Sequence, residues 1–327
     1  MTEKFSKPNI VISKCIEFDH CRYNAQIISS DFVKKLKPYV KFLPICAEVE
    51  IGLGIPRDPI RIVSHNSVKR LIQPATDIDV SNLMKNFSNS FLNSLKYIDG
   101  FILKSQSPSC GLKDVKVYSA AKNASPIYRE SGFFGEQVLK KYGYLAIEDE
   151  NRLRNPVIRE HFLRKIFTFS RFRLVKKSQT FKQLIRFHTE NKFLLMAYNQ
   201  KELKELGKIL ANQNKIPKKE VFLNYENHLY KGFQKAPRVT SDINVLMHMF
   251  GYVTSEISTF EKKFFFSLID KFRNGKIPLS APITLLRSWI IRFNQKYLLP
   301  QTYFQPYPDE LLDVVTINAL GVRDFWK

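Results

Sequence analysis

The chain has 327 residues, 44% of them hydrophobic, with 52 Lys and Arg against 30 Asp and Glu for a net charge of +22. That length exceeds one ordinary core, so two domains are expected. No apolar run approaches the ~20 residues of a membrane helix, and the short polar stretch 1–9 lacks the apolar core of a signal peptide, so a cytoplasmic protein without a membrane partner is expected.

The first segment reads as strands and loops in an α/β rhythm. Residues 9–13 are β-branched and compact, a buried strand ending at Cys15. Asp31 reads as the N-cap of a short helix over 32–36. Residues 40–45 form the next strand-like run and deliver Cys46-Ala47-Glu48 onto a turn rich in Gly and Pro. A further short strand is expected over 59–63, and an amphipathic helix over 79–95. The apolar run 98–103 then ends in Lys104-Ser105-Gln106-Ser107-Pro108-Ser109-Cys110-Gly111. Strand ends and the loops after them are where α/β proteins place their chemistry. Residues 113–118 alternate like an edge strand, 133–142 read as a helix, 145–147 as a strand, and Pro156 opens a helix.

From about residue 180 the period becomes helical. Segments 181–198, 201–212, 218–233, 242–251, 255–273 and 282–298 predict an all-α bundle with short connections. Tyr303 to Pro308 is an extended Pro/Tyr segment, and the last 19 residues either pack back or move. The expected organisation is an α/β domain over 1–165, a basic connector over 166–180 and a helical domain over 181–327.

Four cysteines make no disulfide framework, and none falls in a CxxC pair. Cys15, Cys46 and Cys110 nevertheless share strand-end positions, and Glu48 stands two residues after one of them. Residue types alone leave three chemistries open. Zinc would need a fourth ligand such as His20 or His65. A nucleophilic cysteine would need a histidine base. A [4Fe-4S] cluster on three cysteines would leave one iron open to substrate, with Glu48 to move protons.

The charge is uneven: residues 1–160 carry +7 and the remainder +15. No acid occurs from 162 to 189, where Arg164, Lys165, Arg171, Arg173, Lys176, Lys177, Lys182 and Arg186 alternate with Phe167, Phe169, Phe172, Phe181 and Phe187. Basic residues interleaved with aromatics suit a nucleic-acid partner. His188, Asn191, Lys192, Asn244 and His248 are spaced to line a polar groove in the bundle.

Several of these blocks resemble known families. Ile12-Ser13-Lys14-Cys15, Arg22-Tyr23, the run from Pro44 through Cys46-Ala47-Glu48 to Pro56-Arg57, and Leu103 to Gly111 are similar to the family once called domain of unknown function 523. His188-Thr189 with Lys192, Leu195-Met196-Ala197, and Asn244 to His248 with Gly251-Tyr252 resemble family 1722, in the order of the YbgA-type two-domain fusion. The resemblance implies a [4Fe-4S]-dependent desulfidase acting on thiouracil or on 4-thiouridine in tRNA. It also implies cluster ligation by Cys15, Cys46 and Cys110, acid/base work by Glu48 and substrate contact by Ser107. Cys21 departs from the family pattern, which has an aliphatic residue there, and reads as a neighbour of the cluster and not a ligand.

Overall fold

The computed structural model describes residues 5–66, 68–213 and 215–312, which divide into two compact units. One comprises residues up to Ser170 with the segment from Tyr307 onward; Arg171–Pro306 form the other. Residues 313–327, most of the tail, lie outside the described residues.

The first unit opens with Asn9–Ser13 (β1), Asp31–Leu36 (α1), Lys41–Ile45 (β2) and the single helical turn Ala47–Glu50 (α2). Arg61–His65 (β3), Val68–Gln73 (β4), Ile78–Asp79 (β5), Ser81–Ser94 (α3) and Gly100–Leu103 (β6) follow. Val115–Tyr118 (β7), Pro126–Glu130 (β8), Phe133–Tyr142 (α4), Ala146–Asp149 (β9) and Pro156–Ser178 (α5) complete it, although α5 continues into the second unit.

Two sheets result. The first is wholly parallel in the order β2-β1-β6-β9, and helices cover both its faces. Ile10, Ile12 and Ile102 share a core with Val33 and Leu36 of α1 and with Phe162, Leu163 and Ile166 of α5. The alternate residues face the other way, and Phe101 packs against Tyr142 of α4 with ring centroids 5.3 Å apart. The strand order reverses direction between β1 and β6, so the loops that leave these two strands diverge and open a crevice at their carboxyl ends.

The second sheet, in the order β5-β4-β3-β7-β8, is mixed, and β7 lies inside it and not at the edge that its alternation suggested. β4, β5 and β8 carry no strong periodic signal: Val68-Lys69-Arg70-Leu71-Ile72-Gln73 mixes exposed and buried positions without clean alternation. Another local difference is the cap of α1, where Ser30 Oγ accepts from the Val33 amide and Asp31 is the first helical residue.

The second unit is helical throughout: Phe181–Tyr198 (α6), Gln200–Ala211 (α7), Lys218–Gly232 (α8), Val239–Gly251 (α9), Thr259–Arg273 (α10) and Ser280–Arg292 (α11). α10 begins later than its hydrophobic pattern, because Ser258 and Glu261 close a capping box there. α11 ends before residue 298, where Asn294 takes a positive φ of 48° that no helix continues through.

Candidate active site

A cavity of about 260 Å³ opens at the carboxyl edge of the parallel sheet. Cys15 arrives one residue beyond Lys14 at the end of β1, Cys46 directly after β2, and Cys110 on the loop after β6; all three line it, with Glu48 and Ser107. The sequence places these groups 95 residues apart at their extremes, and the sheet gathers them.

The loop of Cys110 is held by α4. The amides of Phe133, Phe134 and Gly135 donate to the carbonyls of Pro108, Ser109 and Ser109, at 3.0, 2.9 and 2.9 Å. The unsatisfied donors at the helix start thus grip the cysteine loop itself. The approach requires glycine: a Cβ at Gly135 would lie 2.4 Å from the Gly111 carbonyl oxygen and 2.8 Å from that of Cys110. Within the loop, Ser107 Oγ accepts from the amides of Ser109 and Cys110 at 3.3 and 3.2 Å, closing a turn that orients Ser107 and Cys110 together.

Glu48 is fixed by four donors. Arg57 Nε and Nη2 both reach Oε2, at 2.8 and 2.7 Å, while the hydroxyls of Ser109 and Ser107 donate to Oε1 at 2.9 and 3.4 Å. The Arg57 side chain is 4% exposed, and its Nη1 also donates to the carbonyls of Cys21 and Gly54. Gly52 and Gly54, at φ 87° and 71°, make the turn that returns Arg57 to Glu48. Arg57 and Ser109 had no role in the reading of the sequence. Their function depends on a contact across this turn, which residue order does not reveal.

Cys21 also lines the cavity, 1% exposed, and the Cys46 thiol donates to its backbone carbonyl at 3.6 Å. The neighbouring Cys15 thiol and burial push the Cys21 thiol up to about 11; the neighbouring Cys21 thiol and burial push Cys46 higher still. Burial raises Cys110 to about 12, although hydrogen bonds from Ser13 and Ser107 oppose it. Thiols so crowded resist ionising in one another's company, and positive charge placed among them reverses this.

Among the described residues no three or more His, Cys, Asp or Glu side chains converge on a point suited to one metal ion. His20 is exposed with Nδ1 3.3 Å from the Ala25 carbonyl, and His65 is exposed at the end of β3; neither lines the cavity.

The basic residues of 162–189 fold differently from the cysteines. Arg164 and Lys165 are buried, Lys165 donating to the Leu145 carbonyl at 2.8 Å. Arg164 pairs with Glu160, Arg171 and Arg186 both pair with Glu190, and Lys176 pairs with Glu226. Lys177 and Lys182 are exposed, and Arg173 is half-buried. Phe167, Phe169, Phe172 and Phe187 are core residues, unavailable to stack on bases. In the second unit, His188 bonds the Tyr225 hydroxyl at 3.1 Å and burial pulls it down to about 4. Asn244 Nδ2 is buried without a hydrogen-bond partner among the described residues, and His248 is exposed.

Comparison with known proteins agrees with this division. Residues 10–150 match the family model described as 2-thiouracil desulfurase, and residues 192–308 match a family of unknown function, DUF1722. The uncharacterized protein YbbK of Bacillus subtilis (strain 168) is 32% identical over 153 residues, 45% of this chain and 98% of its own length. The uncharacterized protein YbgA of Escherichia coli (strain K12) is 27% identical over 151 residues, 46% of this chain and 87% of its own. A solved structure titled as the [4Fe-4S]-dependent thiouracil desulfidase TudS is 24% identical with a TM-score of 0.37, covering 45% of this chain and 94% of that one. The chain belongs to the 2-thiouracil desulfurase family, in the two-domain form that joins this domain to a DUF1722 segment.

Proposed function

We propose that the protein is a [4Fe-4S]-dependent, non-redox desulfidase that converts thiolated uracil, foremost 4-thiouridine in tRNA, to its oxygen form with release of sulfide. The observation that carries this reading is the meeting of Cys15, Cys46, Cys110, Glu48 and Ser107 on one cavity at the strand-order reversal. The donor set fits the cluster. Each iron of a cluster takes its own cysteine, so the thiols must surround a volume and not converge on one point. Three thiols on three separate loops around about 260 Å³ meet that need, and neither His20 nor His65 lines the cavity. Four unpaired cysteines support a reducing, cytoplasmic setting.

Cys15, Cys46 and Cys110 would hold the cluster, which when bound would supply a Lewis acid for the thiocarbonyl. The protein supplies proton transfer and position. Glu48 Oε1 faces the cavity-side hydroxyls and is the atom that takes a proton from water as it attacks the thiocarbonyl carbon. It returns that proton to the sulfur as the C–S bond breaks, and the added hydroxyl gives up the second water proton as the carbonyl forms, so sulfur leaves as hydrosulfide plus a proton, together hydrogen sulfide, without electron transfer. Arg57 holds Oε2 in a charge-assisted pair, whereas Oε1 meets only the neutral hydroxyls of Ser109 and Ser107 and is the working oxygen. Ser107 Oγ has its lone pairs engaged by two amides, and its proton, resting on Glu48 Oε1 at 3.4 Å, turns to the base when substrate enters. A base within tRNA must be unstacked to enter such a cavity.

Anaerobic reconstitution with iron and sulfide tests the reading. Expected are about four irons per chain, a brown colour, and sulfide release with loss of thiouridine absorbance from 4-thiouridine tRNA. A colourless protein that takes up a single zinc would falsify the cluster. A coloured protein that leaves both thiouridine tRNA and free thiouracil intact would favour a tRNA-binding protein with a structural or redox-sensing cluster.

A further inference from the structure

The five-stranded sheet turns one face to the core and the other to solvent. Directly paired residues project to the same side, so register fixes which side chains share each face. Ile62, Leu71 and Val117 are register partners and all are fully buried. The alternate positions hold Arg61, Arg70, Lys116 and Arg129: Arg70 opposes Val63, Lys116 opposes Arg129, and the Arg61 guanidinium lies 4.8 Å from the Tyr118 ring centroid. Arg70, Lys116 and Arg129 are exposed and Arg61 is half-buried. Against these four cations the paired strand positions of this face carry, among the described residues, one acid, Asp79, 4.0 Å from Arg70; Arg129 and Arg61 also donate through Nη1 to the backbone carbonyls of Asp114 and Ala121, at 2.9 and 3.4 Å.

Three of the cations form a row. One residue back from the Ile62–Val117 pair, Arg61 and Lys116 are neighbours across β3 and β7, and Arg129 is next across β8. The strands are spaced by about 4.8 Å, so the row spans roughly two strand spacings. It also begins where the cavity ends: Arg61 directly follows Pro59 and Ile60, which line the cavity, and Lys116 is six residues from Cys110. Six residues reach at most about 20 Å.

We propose that this open sheet face is the docking surface for RNA, and that Arg61, Lys116 and Arg129 hold the phosphate backbone of the molecule whose base enters the cavity. The choice of RNA rests on the desulfidase reading above; the choice of surface rests on charge complementarity. A row of cations with one opposing acid attracts a polyanion, and arginine's planar fork suits phosphate oxygens. The acid-free run 162–189 offers less: two of its cations are buried and four are committed to glutamates, Arg164 being in both groups.

The test uses the full chain and unmodified tRNA, with affinity measured from 50 to 200 mM salt. Lys116→Glu with Arg129→Glu is expected to weaken binding at least about tenfold and to lower the log–log salt slope by about 2. Lys177→Glu with Lys182→Glu on α5 and α6 is the matched control, expected to change affinity less than threefold. Equal affinity of the wild type and the sheet variant, or a larger loss in the helix variant, overturns the proposal, as does a wild type that binds no tRNA at 50 mM salt. Both variants should keep the wild-type circular dichroism, which separates a lost surface from a lost fold. The desulfidase reading fails separately, if the wild type binds tRNA through this face yet releases no sulfide from thiolated substrate.

Discussion

The two sheets of the N-terminal unit differ in what they leave open. The parallel sheet is covered on both faces, by α4 on one side and by α1 and α5 on the other, so only its carboxyl edge remains for chemistry. The mixed sheet buries Ile62, Leu71, Val115 and Val117 on one face, and on the other Arg61, Arg70, Lys116 and Arg129 surround a buried Val63. A fully covered sheet gives rigid strand ends, which a multi-thiol site needs, while a half-covered sheet gives area, which a large ligand needs. The proposed division is reaction at the edge of one and docking on the face of the other.

The largest expected effect lies at that edge. Replacing Cys15, Cys46 or Cys110 by Ser removes one of the three proposed cluster ligands, each carried by a different strand; each variant should lose most of its iron on reconstitution and all sulfide release. Cys21→Ala should keep its iron, measured against protein on the same samples. A Cys21 variant as poor in iron as the other three would place it among the ligands. Glu48→Gln is next: iron unchanged, and turnover of 4-thiouridine lower by about 10²–10⁴-fold. Full turnover in this variant would remove Glu48 from the reaction.

Arg57 tests how far the site is held by its own charges. Both partners are largely covered, with Arg57 4% and Glu48 14% exposed. Arg57→Met leaves the carboxylate without its ion pair, a change that costs about 3–5 kcal/mol when one partner of a buried pair is removed. The urea midpoint should fall accordingly, and adding Glu48→Gln to this variant should recover part of the loss. A double variant no more stable than Arg57→Met would mean that the pair is not coupled.

The legibility of these regions follows from what each depends on. Cys15, Cys46 and Cys110 were visible because each follows an apolar strand run and enters a turn, and local order carries that information. The helices of the second unit were visible for the same reason, since a period of 3.6 needs no partner to be read. Arg57 was not, because its meaning depends on the Glu48 carboxylate across a glycine turn. The sheet-face cations are single residues scattered from 61 to 129, and only strand pairing collects them. The basic run is less free than its order suggests: its acid-free window, 162–189, is closed by Glu160 and Glu190, which reach back into it to pair with Arg164, Arg171 and Arg186. Counting charge along the chain cannot see an acid one helical turn away or on a neighbouring helix.

The smallest effect concerns the cost of covering the parallel sheet. Lys165 lies on the stretch of α5 that packs on this sheet, 8% exposed, with its amine on the Leu145 carbonyl just before β9. Burial pulls its pKa down to about 8, below the 10.5 of an unhindered lysine. The folded state therefore sheds this proton first, and between about pH 8 and 10.5 the unfolded chain binds more of it. This residue's contribution to stability is lowest below pH 8, rises through that window and is complete above 10.5. Lys165→Met removes the titration while keeping the buried stem. The stability difference between wild type and variant should then shift towards the wild type by up to about 3 kcal/mol from pH 8 to 10.5. Taking the difference cancels the cavity thiols, such as Cys110, which burial raises and which therefore titrates in the opposite sense. A difference flat across this window would show that the amine reaches water, and that α5 covers the sheet less tightly than the packing of Phe162, Leu163 and Ile166 implies.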